Sequence, residues 1–221
     1  MAGRIAAVSF DVAGTLLHPV SPARVYAEMA HRYGAPMLDE RLVGQRFRAA
    51  FARQDQLDRE QGYATGPARE LARWRAIVAE VLPEVPDLEG CFAALYAYYA
   101  QPQAWVPTPG AEPMLAGLRQ RGLRVGLATN FDARLMQVLE GHRWLAGLDF
   151  IVISEAVGWS KPARTFFARV VEQAGCPAEL TLQVGDDPVN DVAGAIAAGL
   201  QAQLVGPAGA TWADLASWLD D

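Results

Sequence analysis

Two rhythms of apolar positions divide this chain. Ile5–Phe10 is a short apolar run, and Asp11-Val12-Ala13-Gly14-Thr15-Leu16 follows it as a polar, glycine-containing loop. From Ser21 to about Ala100 apolar residues recur at helical spacing and no strand is predicted. Ser21-Pro22 reads as an N-cap with proline in the first turn, opening a helix that fades at Gly34. Asp39 to about Gln61 is long and charged, with Leu42, Phe47 and Phe51 expected to form one buried stripe. Pro67–Leu82 and Leu88–Ala100 carry further helical patterns, the latter with Phe92, Leu95, Tyr96 and Tyr99, and Pro83–Pro86 separates them. After Gln101-Pro102 short strands alternate with amphipathic helices. Strands are predicted at Arg124–Ala128, Phe150–Ser154, Thr181–Val184 and Ala202–Val205, and helices at Glu112–Arg121, Ala133–Glu140, Arg164–Ala174 and Asp191–Ala198.

That alternation indicates an α/β protein with a parallel sheet covered by helices on both faces. Such sheets bind ligands at the carboxyl ends of their strands. Counting from strand ends gathers Asp11, Thr129-Asn130, Lys161 and Asp186-Asp187 at one edge, so their side chains can converge on one crevice.

Composition narrows the partners. At 221 residues, 52% hydrophobic and 20% charged, the chain has the make-up of a globular protein. A formal net charge of −6 argues against nucleic acid or an anionic membrane as a general partner, though not against a small anionic substrate. No apolar run approaches the ~20 residues of a membrane span. The stretch Met1–Phe10 is too short for a signal peptide. Cys91 and Cys176 lie far apart with no metal or redox spacing, which fits a reducing compartment; a cytoplasmic location is the expectation. Lys161 is the single lysine among 19 basic residues. An arginine-favouring coding bias explains the rest, and makes the survivor a candidate for a compact charge against phosphate.

Four segments in chain order resemble the haloacid dehalogenase (HAD)-like hydrolase superfamily. They are Phe10-Asp11-Val12-Ala13-Gly14-Thr15-Leu16, Leu127-Ala128-Thr129-Asn130, Lys161-Pro162 and Gly185-Asp186-Asp187-Pro188-Val189-Asn190-Asp191. The run Thr129–Leu135 is similar to a phosphatase-like branch. The resemblance implies a Rossmann-like core, residues 1–16 and 106–221, with a helical cap inserted at 17–105. Hinges are expected near His18-Pro19 and Gln101–Pro109. His18 is read as a hinge or packing residue, and His31 and His142 as ordinary helix residues.

It also implies roles. Asp11 would be a carboxylate nucleophile, forming a covalent aspartyl intermediate. Thr129 and the amide of Asn130 would bind an anionic substrate oxygen, and Lys161 would neutralise phosphate charge. Asp186, Asp187 and Asp191 crowd three carboxylates beside Asp11, an arrangement that calls for a cation, and Mg²⁺ is the hard ion that suits oxygen ligands. By resemblance its protein ligands would be Asp11, the main-chain carbonyl of Ala13 and Asp186. Asp191 would orient Lys161 or a metal-bound water, and Asp187 reads as a turn residue before Pro188.

One departure matters. Most phosphatases of the family carry an aspartate two residues after the nucleophile, as general acid and base; here that residue is Ala13. Alanine there resembles phosphonoacetaldehyde hydrolase, but that activity needs a cap lysine and this cap has none. Three readings stay open: a Mg²⁺-dependent phosphatase of narrow or reduced activity towards a small phosphorylated metabolite, a metal-independent 2-haloacid dehalogenase drawing its arginine from Arg24, Arg32, Arg41 or Arg46, or a phospho-ligand-binding protein of low turnover.

Overall fold

A computed structural model describes residues 5–207 and 209–219. Residues 1–4 of the N-terminal stretch, and the last two residues of the expected core range, lie outside them. Five parallel strands form one sheet in the order β5-β4-β1-β6-β7. They are β1 (Ala7–Phe10), β4 (Arg124–Thr129), β5 (Phe150–Ile153), β6 (Thr181–Gly185) and β7 (Gln201–Leu204). β1 is central, with Phe10 in register with Leu127 on one side and Val184 on the other.

Alternate side chains of β1 feed opposite faces, as strand geometry requires. Val8 and Phe10 pack with α5 (Ala111–Gln120), α6 (Arg134–Gly141) and α10 (Trp212–Trp218). Ala7 packs with α8 (Arg164–Ala174) and α9 (Gly194–Ala197). The sheet is therefore covered on both faces, and the expected α/β class is what is found.

Between the first two crossing strands the chain inserts four helices, α1 (Pro22–Arg32), α2 (Glu40–Glu60), α3 (Pro67–Val81) and α4 (Leu88–Tyr98). They bury a cluster of their own around Val43, Ile77, Val81 and Leu95. A short antiparallel ribbon, β2 (Leu17–Pro19) with β3 (Trp105–Pro107), joins insertion to sheet. Neither strand was expected. Three residues carry no periodicity, and the proline in each weakens a strand reading.

Three other local expectations are corrected. Ser21 stands at the N-cap of α1, but its φ of 25° turns the residue and its side chain makes no capping hydrogen bond. On α2 the buried positions are Val43, Ala50 and Gln54, while Leu42 is exposed. Leu42 lies about 100° round the helix from Val43, outside the stripe that Phe47 and Phe51 border. The helical turn expected from Asp191 starts earlier, as a wide π-helical turn over Pro188–Ala193. It starts there because the Asp187 carboxylate accepts from the N–H groups of Val189 (2.7 Å) and Asn190 (2.8 Å). Asp187 is thus a cap, in keeping with its turn-residue reading.

Candidate active site

Every predicted polar loop leaves the sheet at the carboxyl edge. Asp11 is the residue after β1, and its N–H still bonds the Val184 carbonyl at 2.9 Å, extending the ladder one step. Thr129 closes β4, Asp186 follows β6, and Asp191 lies in the π-helical turn. Lys161 comes from the loop after β5 and the one-turn helix α7 (Ser154–Val157), and Asn130 clamps that loop. The Lys161 N–H donates to Asn130 Oδ1 at 2.7 Å, and Asn130 Nδ2 donates to the Lys161 carbonyl at 3.0 Å.

The lysine reaches inward from that clamp. Its Nζ donates to Asp11 Oδ1 at 2.7 Å and to Asp191 Oδ1 at 2.6 Å. Lys161 and Asp191 are 3% and 1% exposed, too buried for either charge to stand alone. Gln183 Nε2 also donates to Asp191 Oδ1 at 2.9 Å, and the Asp187 N–H to its Oδ2 at 3.3 Å. Asp186 is held more loosely, by the Thr15 hydroxyl at 3.1 Å. Gln183 and Thr15 were not picked out from sequence. Gln183 had a signal, a lone amide inside the apolar strand Thr181–Gly185.

Two glycines make room for these carboxylates. A Cβ on Gly14, whose φ is +97°, would run into the Asp186 carboxylate, and one on Gly185 would run into that of Asp191.

One carboxylate oxygen each of Asp11, Asp186 and Asp191 lies within 4.8 Å of the others. The electrostatics record the crowding. Burial, and then the Asp11 charge, raise the Asp186 carboxyl above its ordinary value. Asp191 is raised to about 6 by burial, with the Asp11 charge adding to it and Lys161 opposing. Burial alone would depress the Lys161 ammonium, but Asp11 and Asp191 outweigh it and the net shift is upward. These hard oxygen donors, short of positive charge, fit a divalent cation such as Mg²⁺.

A cavity of about 420 Å³ opens over this cluster, walled by the sheet edge and by α2 and α3. Thr129, Asn130 and the exposed Ala13 line it from the sheet side, and Arg59, Arg73 and Trp74 from the insertion. Arg73 is tied to Asp58, and to Asp55 at 2.5 Å. None of Arg24, Arg32, Arg41 and Arg46 lines the cavity. Arg24 pairs with Glu28 and Arg46 with Glu84. The arginines that face the site sit on the two long helices, where sequence alone gave them no distinction from the other surface charges. His18 lies exposed on the ribbon, His31 Nδ1 lies 3.2 Å from the Ala35 carbonyl, and His142 is buried at the end of α6, so none is a base at the site.

A doubly covered parallel sheet with a lysine and a carboxylate cluster at its carboxyl edge has the ligand-binding crevice of an open α/β sheet. A family description for haloacid dehalogenase-like hydrolases matches residues 5–199. The chain belongs to that family. It is 31% identical over 204 residues to haloacid dehalogenase-like hydrolase domain-containing protein 3 of Bos taurus, covering 90% of this chain and 80% of that one. In fold it is similar to a dehalogenase solved as an intermediate complex, with TM-score 0.75, 15% identity and all of both chains covered. It is equally similar to the HAD-hydrolase YfnB of Bacillus subtilis bound to magnesium, with TM-score 0.74, 21% identity, and 99% and 100% covered.

Proposed function

We propose that the chain is a Mg²⁺-dependent phosphatase of a small phosphorylated metabolite, with Asp11 as nucleophile. Residues 17–105 act as a cap over a core of residues 1–16 and 106–221, and the substrate sits between them. The observation that carries this reading is the cluster of Asp11, Asp186 and Asp191 carboxylates within 4.8 Å, served by Lys161 as the only ammonium side chain in the sequence.

In this reading Asp11, the Ala13 carbonyl and Asp186 hold the ion. When bound, Mg²⁺ offsets the charge of the carboxylates and of the phosphoryl group so that the two can approach. Asp11 attacks phosphorus, and the bond from phosphorus to the leaving oxygen breaks with its electron pair on that oxygen. Water then attacks the phosphorus of the aspartyl phosphate and regenerates the carboxylate. Thr129 donates its hydroxyl to a phosphoryl oxygen. The side-chain amide of Asn130 is spent on the Lys161 backbone, so its donor role passes to the main-chain N–H. Lys161 carries charge to the transferring group, and Asp191 with Gln183 fixes where that charge stands. Ala13 offers the leaving oxygen no proton, which confines good turnover to leaving groups that depart without one.

The 2-haloacid dehalogenase reading would draw its arginine from Arg59 or Arg73, which line the cavity, and not from Arg24, Arg32, Arg41 or Arg46, which stand away from it. Hydrolysis of p-nitrophenyl phosphate tests the proposal. Release should require Mg²⁺ and disappear in Asp11→Asn. Turnover of chloroacetate by metal-stripped protein would instead establish a dehalogenase, and turnover of neither a binding protein.

A further inference from the structure

A second cavity, of about 210 Å³, adjoins the carboxylate site. The two share Ala13, Phe51, Trp74 and Asn130 in their linings, so they lie side by side with the alanine between them. The second chamber is walled by rings. Tyr26 and Phe47 meet edge to face at 5.4 Å, and Trp105 and Phe131 lie 5.2 Å apart. Its charges are neutralised internally. Arg134 Nη2 lies 2.6 Å from Asp132 Oδ2, and the guanidinium stacks 3.8 Å from the Tyr96 ring centroid. The Tyr99 hydroxyl is buried and has no hydrogen-bond partner among the described residues.

We propose that this chamber holds the leaving group of the substrate, and that the leaving group is an aromatic ring, making the substrate class aryl phosphate monoesters. This rests on the phosphatase reading above. Size agrees, since an apolar cavity of ~150 Å³ takes up benzene, and ring walls favour a ring by edge and stacking contacts. The chemistry agrees independently. Asp11 forms its bond to phosphorus as the bond to the aryl oxygen breaks, and the electron pair leaves on an aryloxide that the ring stabilises. The aryloxide needs no proton in that step and takes one later from water. Ala13, facing both chambers, marks the place where an acid is dispensable.

The test uses the full chain with Mg²⁺ and titrates inorganic phosphate, methylphosphonate and phenylphosphonate by calorimetry. A single methylene in an apolar pocket discriminates about tenfold or more, so phenylphosphonate should bind at least about tenfold more tightly than methylphosphonate. Phe47→Ala, which touches only the second chamber, should weaken phenylphosphonate about two- to tenfold and leave methylphosphonate within about twofold. In the wild-type chain, phenyl phosphate should likewise exceed glycerol phosphate in kcat/KM by at least about tenfold, a comparison that stands even if the variant misfolds. Phosphate and methylphosphonate binding without gain from the ring would overturn the aryl assignment and leave the phosphatase reading intact. An unchanged phenyl preference in folded Phe47→Ala would also overturn it. Binding of none of the three would refute the phosphatase reading and the aryl assignment with it.

Discussion

Lys161→Met removes one charge and keeps most of the side-chain stem, so it isolates what the ammonium does at the centre of the site. In the wild type that ammonium is 2.7 Å from Asp11 and 2.6 Å from Asp191, inside a pocket where all three groups are nearly shut off from water. Without it, two buried carboxylates face each other with only hydrogen bonds from Gln183 and the Asp187 main chain to offset them. Breaking a buried ion pair from one side costs about 3–5 kcal/mol, mostly the uncompensated partner. For a chain of this size each kcal/mol moves Tm by roughly 2–4 °C, so Tm should fall by roughly 6–20 °C in metal-free buffer near pH 8. The loss should shrink as pH drops below about 6, where Asp191, already raised to about 6 in the wild type, takes up a proton and no longer needs a counter-charge. Calorimetric melts of both proteins from pH 4 to 8 measure this. A drop of less than about 2 °C at pH 8, or a drop independent of pH, would refute the idea that Lys161 holds the cluster together.

Three further outcomes follow from the same geometry. Because burial and the Asp11 charge hold the Asp186 carboxyl above its ordinary value in the folded state, its contribution to stability is present below the ordinary carboxylate value and lost as pH rises through the raised one; Mg²⁺, competing with the proton on this ligand, should therefore stabilise the chain little in acid and progressively more towards pH 7, as melts with and without the ion will show. Gly185→Ala should lower stability by about 1–3 kcal/mol and weaken Mg²⁺ binding, since a Cβ there meets the Asp191 carboxylate; urea denaturation that leaves the midpoint unchanged would contradict this. Ala13→Asp should raise turnover of alkyl phosphates by more than that of aryl phosphates, because it supplies an acid where aryl leaving groups need none; equal gains for both would point to folding or metal affinity instead.

Much of this was legible in the sequence because the catalytic edge of a parallel sheet is defined by where short apolar runs end. Asp11, Thr129, Lys161 and Asp186 each follow such a run, and the structure gathers them as the counting predicts. The bonds among them were not legible. That Asn130 spends its side chain on the Lys161 backbone depends on the relative height of two loops, and no one-dimensional pattern encodes height. The insertion shows a sharper limit. Its four helices are written in the 3.6-residue repeat, yet the repeat misplaced Leu42 by one position and could not say which of many arginines turns inward. Arg73 faces the site because α2 and α3 pair through Asp55 and Asp58, a tertiary fact. The ribbon of Leu17–Pro19 with Trp105–Pro107 was invisible for the same reason, since its two halves gain meaning only when paired across 85 or more intervening residues.

The most direct measurement asks whether phosphorus becomes bonded to Asp11. The Mg²⁺-loaded chain is mixed with phenyl phosphate or p-nitrophenyl phosphate, quenched in acid within the first turnover and digested for mass spectrometry. The account predicts a phosphorylated peptide containing Asp11 that appears only with Mg²⁺, and is missing in Asp11→Asn. Steady turnover with no phosphoryl group on Asp11 at any quench time, or undiminished turnover by Asp11→Asn, would contradict it.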